Sequence, residues 1–194
     1  MTGHDRLFRH EHAHKLDDPG RQGWLPTADV LAHLDLRPAM VVTDVGAGTG
    51  YFALPMARAV LPGGRVFAVD MQPEMLALLR AKTADLPITL IQGTAGRTGL
   101  PDASADLAFL ANVWHEIDDP NAALTEIRRI LRPGGRVAIL DWRPDVEQPP
   151  GPPLAHRTPA GETAALLRAE GWDVAEPINI GKYSHLVMGT VPAR

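Results

Sequence analysis

The sequence predicts an α/β fold, a doubly wound sheet with parallel core strands and helices on both faces. Three observations predict it. Short apolar segments alternate with amphipathic ones from residue 40 to 142, the pattern of strands joined by crossover helices. Those segments are almost continuously hydrophobic, as strands covered on both faces should be. The last two apolar segments, VAEPINIG and HLVMGTV, lie about three residues apart. That is too close for a crossover helix, so this final pair is antiparallel.

The elements follow in order. Residues 1–24 are polar and rich in His, Asp and Arg, with little periodicity. From Pro26, an apolar stripe of Val30, Leu31, Leu34 and Leu36 predicts a short helix. MVVTDV (40–45) reads as a buried strand and YFALPMARAVL (51–61) as a helix ended by PGG. RVFAVD (65–70) is a strand, and PEMLALLRAKTA (73–84) is a helix with Pro73 in its first turn. ITLIQ (88–92) and ADLAFLAN (105–112) are strands. PNAALTEIRRIL (120–131) is a helix that stops at RPGG, and RVAILDW (136–142) is the fifth strand. A proline-rich loop (143–159), a helix (160–170) and the antiparallel pair complete the chain.

With 194 residues, 45% of them hydrophobic, the chain is long enough for one sizeable core. The expected organisation is a single domain over residues 26–194 behind an N-terminal arm, residues 1–25. Net charge is −4 and pI near 6.0, which gives no reason to expect nucleic acid as a partner. There is no cysteine, so disulfides and thiolate chemistry are excluded. No signal-peptide run opens the chain, and no segment approaches the ~18 apolar residues of a membrane helix. The expectation is a soluble cytoplasmic protein with no membrane partner.

Ligands of such sheets bind beyond the carboxyl ends of the strands, and there the chain carries DVGAGTG, Asp44 to Gly50. Glycines 46, 48 and 50 permit a tight turn and a close ligand approach. Dinucleotide enzymes also have a glycine loop, but theirs wants a third glycine where Tyr51 stands. Asp44, just before the loop, would repel a pyrophosphate and suit a cation. S-adenosylmethionine (SAM) has a sulfonium, an ammonium and no phosphate. Asp70, closing the second strand, suits a pair of ribose hydroxyls. Each acid also has a structural reading: Asp70 as a cap for the following helix, Asp44 as an acid bonding loop amides.

The chain resembles the class I SAM-dependent methyltransferases, in particular those of the ubiquinone/menaquinone-biosynthesis type. The resemblance rests on DVGAGTGYF (44–52), VFAVDMQPEML (66–76), LPDASADLAFLANVWHEI (100–117) and ILRPGGRVAILDW (130–142). It implies a Rossmann-like seven-stranded sheet of order 3-2-1-4-5-7-6, mostly parallel, with the last strand antiparallel. It implies SAM as cofactor, with Asp44, Gly46, Ala47, Gly48 and Gly50 at the methionine part. Asp70 would take the ribose and Met71 would flank the adenine. The stretch 92–95, with Thr94 and Ala95, would edge that ring, and Asn112 would line the methionine end. The family usually has an acid where Thr94 stands; a threonine hydroxyl accepts more weakly.

Methyl transfer is an in-line displacement that gains mainly from holding acceptor and methyl ~3–3.5 Å apart. An acceptor that carries a proton also needs a base. His115, after the fourth strand, is the candidate, since its ordinary pKa lies near neutrality; the alternative is that it shapes the wall or bonds a carbonyl. Glu116, Asp118 and Asp119 read as the start of the next helix, with Asp119 capping before Pro120. Trp114 and Trp142 could wall an acceptor pocket or edge the core, and Tyr183 could touch substrate. The expected activity is methylation of a small molecule. The alternatives are a protein that binds SAM or S-adenosylhomocysteine without turnover, and an NAD-dependent oxidoreductase, against which Asp44 and Tyr51 argue. The small cap leaves room for a homodimer partner.

The arm holds His4, His10, His12 and His14. It can fold over SAM as a lid, turning His10, His12, His14, Lys15 and Trp24 to cofactor or acceptor. It can also be a solvated tail. His10 and His14, four apart on one face of a helix, would supply two metal ligands, short of the three or four a site needs, so no metal is expected.

Overall fold

The computed structural model describes residues 7–146 and 151–192. His4 and four residues of the proline-rich loop lie outside that range. One sheet organises the chain. Its strands are β1 (Val41–Val45), β2 (Arg65–Asp70), β3 (Ile88–Gln92), β4 (Ala105–Ala111), β5 (Leu131–Trp142), β6 (Asp173–Val174), β7 (Ile178–Ile180) and β8 (Ser184–Thr190). The helices are α1 (Thr27–Leu34), α2 (Ala53–Ala59), α3 (Pro73–Thr83), α4 (Pro120–Ile130) and α5 (Ala160–Ala169).

The strand order is β3-β2-β1-β4-β5-β8-β6, with β7 also pairing β8. The first five strands are parallel, and β8 runs antiparallel to β5. This is the expected order with its sixth strand split in two. Pro177 lies between the halves and has no N–H for the ladder, so pairing with β8 lapses and resumes at Ile178. β5 begins earlier than expected. Leu131 pairs with Ala105, a register shift follows, and the ladder resumes at Arg136. RPGG is therefore a bulge inside β5, with Gly134 at φ 75°, instead of a stop before it. Pro55 sits in the first turn of α2, where its missing N–H would have had no helical partner.

Each face of the sheet carries a core. On one side α1 and α2 pack with Phe52 and Phe109 edge to face, ring centroids 5.0 Å apart. On the other, α4 and α5 bury Leu124, Ile127, Leu167 and Trp172. The carboxyl ends of β1, β2, β4 and β5 are thereby left facing one cavity, bordered by segments that precede α1 and follow β5. No helix among the described residues is long and apolar enough to cross a membrane.

Candidate active site

The cavity has a volume of about 960 Å³, at the upper end of the range for pockets holding one small ligand. Its floor is the glycine loop. The Gly46 and Ala47 amides donate to the Val69 carbonyl at 2.8 and 3.0 Å, which folds the loop over the end of β2. Gly46 has φ 75°, and a Cβ there would stand 2.4 Å from Val113 Cγ2. No other residue fits.

Asp44 is 2% exposed and its Oδ2 has no partner. Burial, reinforced by the charge of Asp70, pushes its pKa up to about 7. Asp70 accepts the Gly48 amide on Oδ2 at 2.8 Å and the Gln72 amide on Oδ1 at 2.9 Å, so it ties the loop to the end of β2. Burial raises its pKa as well. Asn112 follows β4 in the left-handed region, φ 56°, which asparagine tolerates. Its side-chain oxygen and nitrogen are both buried without partners.

A second group stands beside them. His115 lies in the 3-10 turn Trp114–Glu116. Asp141 Oδ2 accepts the His115 backbone amide at 2.8 Å, and Oδ1 lies 2.8 Å from the ring Nδ1. The other ring nitrogen, Nε2, is 3.7 Å from Glu116 Oε1. Burial alone would lower the His115 pKa, but the bond and charge of Asp141, with the charge of Glu116, raise it. Burial pushes Glu116 up to about 7, against the opposing pull of His115. Trp24 and Trp142 stack beside this group, centroids 5.3 Å apart and planes inclined by 29°.

The described part of the arm lines one side of the cavity. Residues His10–Lys15 and Pro19–Gly23 form 3-10 helices. Gln72 grips the arm's main chain, donating to the Phe8 carbonyl at 2.7 Å and accepting the His10 amide at 3.0 Å. The Phe8 amide donates to Glu116 at 3.2 Å. Asp17 accepts from Thr49 Oγ1 at 2.7 Å and from Lys82 Nζ at 2.6 Å.

The cavity gathers Asp44, Gly46, Ala47, Gly48, Asp70, Met71, Thr94, Ala95, Asn112 and His115. Gly50 faces an outer cleft instead, and a Cβ on it would strike Leu79 at 2.3 Å. His12, Lys15 and Trp24 line the cavity, whereas His10 and His14 do not. A 3-10 helix has three residues per turn, so residues four apart diverge instead of sharing a face. Among the described residues, no three His, Asp or Glu side chains converge as a metal site. Trp142 lines the cavity and Trp114 is core. Tyr183 is not among the lining residues. Asp119 accepts the Ala122 amide and caps α4, as its sequence position predicts. Sequence reasoning gave no role to Asp141, Gln72 or Arg21 and treated Glu116 as helix-start chemistry.

Residues 43–139 match the family described as a methyltransferase domain. The chain belongs to this methyltransferase family. The structure is similar to that of a SAM-dependent methyltransferase from Aquifex aeolicus, with a TM-score of 0.90 and 29% identity. That likeness covers 95% of this chain and 100% of the other. An uncharacterised methyltransferase of Mycobacterium tuberculosis is 45% identical over 100 residues, 51% of this chain and 38% of that protein. A ubiquinone/menaquinone biosynthesis C-methyltransferase of Caulobacter vibrioides is 34% identical over 128 residues, 62% of this chain and 51% of that protein. The chain thus spans between about a third and a half of the curated relatives it matches. Its fold is that of the class I methyltransferases, and S-adenosylmethionine is their cofactor. The residues present fit it. Buried polar atoms that lack partners, Asp44 Oδ2 and the Asn112 amide, face the cavity beside a glycine loop that admits close approach.

Proposed function

We propose that the protein methylates a small-molecule acceptor at the expense of SAM, and that His115 removes the proton the acceptor loses. The observation that carries this reading is the placement of Asp44, Asp70 and the His115–Asp141 pair around a single cavity. When bound, SAM supplies a methyl group on a positively charged sulfur.

The chain's own residues would do the rest. Asp44 and Asn112 would hold the methionine end, and Asp70 the ribose, with Met71, Thr94 and Ala95 around the adenine. His115 would take the proton at Nε2. Asp141, on Nδ1, holds the ring in the tautomer that leaves Nε2 free to accept, and would stabilise the imidazolium that forms. Trp24 and Trp142 would offer the acceptor an apolar wall. The arm would act as a lid that excludes water and completes the pocket. The name of the Caulobacter relative, a C-methyltransferase, supports a carbon acceptor, and a carbon that gains a methyl gives up a proton.

Calorimetric titration with SAM and S-adenosylhomocysteine tests the cofactor, and transfer of labelled methyl to a panel of hydroxylated aromatic and aliphatic acceptors tests the reaction. Micromolar binding abolished by Asp70→Ala, together with transfer that collapses in His115→Ala, supports the reading. Binding without transfer to any acceptor would replace it with that of a cofactor-binding protein without turnover.

A further inference from the structure

A base that takes a proton must lose it again before the next turnover. His115 is 5% exposed, so its ring has almost no surface from which to hand a proton to solvent. Asp141 offers no exit. It sits on the opposite ring nitrogen, it is buried, and it is already engaged by the His115 amide, the His115 ring and the Trp142 amide. The acid beside Nε2 is Glu116. Its Oε1 stands 3.7 Å away, its side chain is 12% exposed, and it lines the cavity.

That same oxygen also moors the arm. Glu116 Oε1 accepts the Phe8 amide at 3.2 Å, a contact between residues 108 apart in the chain. One carboxylate thus stands between the base and the N-terminal segment. Its position is set by the 3-10 turn Trp114–Glu116, closed by the bond from the Glu116 amide to the Val113 carbonyl at 2.9 Å. The charged groups that act on it are His115 within the turn, Asp141 in β5 and Asp70 at the end of β2. Arg9 on the arm, and Asp118 and Asp119 before α4, line the same cavity. Burial pushes the Glu116 pKa up to about 7, with Asp141 and Asp70 adding to the rise and His115 and the Phe8 amide opposing it. A group so poised can take up and release a proton at neutral pH.

A carboxylate accepts a stronger hydrogen bond than a neutral acid does. We propose that Glu116 receives the proton that His115 has taken and thereby weakens its hold on Phe8, so that one proton transfer both resets the base and loosens the arm. The inference rests on the reading of His115 as base and deepens it. In this step the N–H bond at His115 Nε2 breaks and an O–H bond forms on Glu116. The proton leaves for water as the arm lifts, and the restored carboxylate takes the Phe8 amide again. At 3.7 Å the two groups are too far apart for a hydrogen bond; a proton on Nε2 supplies the donor and the charge that draw them together. The arm stays attached through Gln72, whose two bonds do not depend on protonation. Glu116 is thus a positioning residue that acts through His115.

The test turns on Glu116→Gln, whose side-chain oxygen can still accept the Phe8 amide but cannot take the proton. Trypsin cutting after Arg9 and Lys15 is followed on the full chain at pH 6 and pH 8, each rate divided by that of a free peptide of the arm's sequence. Wild type should be cut about 5-fold faster at pH 6, and Glu116→Gln equally at both. With an acceptor found by labelled-methyl transfer, the first turnover of Glu116→Gln should stay within about 3-fold of wild type while its steady-state rate falls about 10-fold or more. Adding Gln72→Ala, which frees the arm from its other holder, should recover part of that rate; a variant that had merely lost its structure would not be rescued by the loss of a second contact. A wild type cut equally at both pH values would overturn the proposal, as would a variant that keeps the wild-type response or loses first and later turnovers alike. Transfer to no acceptor, or transfer undiminished in His115→Ala, would remove the reading of His115 as base, and the relay with it.

Discussion

Asp141 holds His115 twice, by the backbone amide and by the ring Nδ1, both at 2.8 Å. The same carboxylate accepts the Trp142 amide at 2.8 Å, so it is fixed before it fixes the histidine. His115→Ala should lower turnover by about 10²–10⁴-fold and leave SAM affinity almost unchanged. A base acts when deprotonated, and the His115 pKa is raised above its ordinary 6.5. The rate should therefore climb with pH through a point above that value. Asp141→Asn removes the main upward influence and should shift the inflection down. A pH–rate profile with the same inflection in both proteins would exclude the pair from proton transfer.

Asp44 and Glu116 make the cofactor-free protein sensitive to pH. Both have pKa values near 7 in the fold, against ordinary values of 3.8 and 4.5. The folded state thus binds more protons than the unfolded one in that window. The stability they contribute is full below the ordinary values and is lost as pH rises through about 7. In scanning calorimetry, Asp44→Asn and Glu116→Gln should gain stability relative to wild type between pH 5 and pH 8. Binding of an ammonium against Asp44 favours its ionised form, so cofactor binding at pH 6 should release protons. Heats measured in buffers of different ionisation enthalpy would report this, and Asp44→Asn should suppress it.

Gln72 makes two bonds to the arm. Gln72→Ala should weaken closure by about 1–3 kcal/mol. Trypsin should then cut faster after Arg9 and Lys15, and added S-adenosylhomocysteine should slow the cutting in wild type. Equal cleavage of both proteins would show that the arm is held by other contacts.

Glu126 serves the fold away from the cavity. Its Oε1 accepts the Thr98 amide at 2.7 Å and the Thr98 hydroxyl at 2.6 Å, and its Oε2 meets Arg129 Nε at 2.7 Å. Glu126→Ala leaves a buried amide and hydroxyl without acceptors and should cost about 2 kcal/mol, read as a lower urea midpoint. Arg129, with help from Thr98, pulls the Glu126 pKa down to about 2. This contribution is present above the ordinary 4.5 and is lost as pH falls towards 2. The variant and wild type should therefore converge at low pH.

What was legible in the sequence was local. The strands and the glycine loop announce themselves by periodicity and by residue type within a few positions, and Asp119 announces its cap. The contacts that complete the site join distant residues: Asp141 to His115 across 26 positions, Gln72 to His10 across 62, Glu116 to Phe8 across 108. Spacing along the chain carries no trace of such pairs. The 3-10 form of the arm was hidden for another reason: its histidines fit a helical spacing, and only packing on the cavity decides which helix forms. Pro177 carried a visible sign, since a proline inside an apparent strand marks a place where pairing lapses.

Gln72 and Glu116 grasp the arm through the Phe8 amide, the Phe8 carbonyl and the His10 amide, groups that every residue but proline possesses. The side chains of Leu7, Phe8, Arg9 and His12, which face the cavity, take no part in that grasp. Substitutions at these positions, proline apart, would leave the grip in place. Exchanging a few side chains on this one short ribbon would therefore reshape the cavity wall without cutting the main-chain bonds that moor the ribbon.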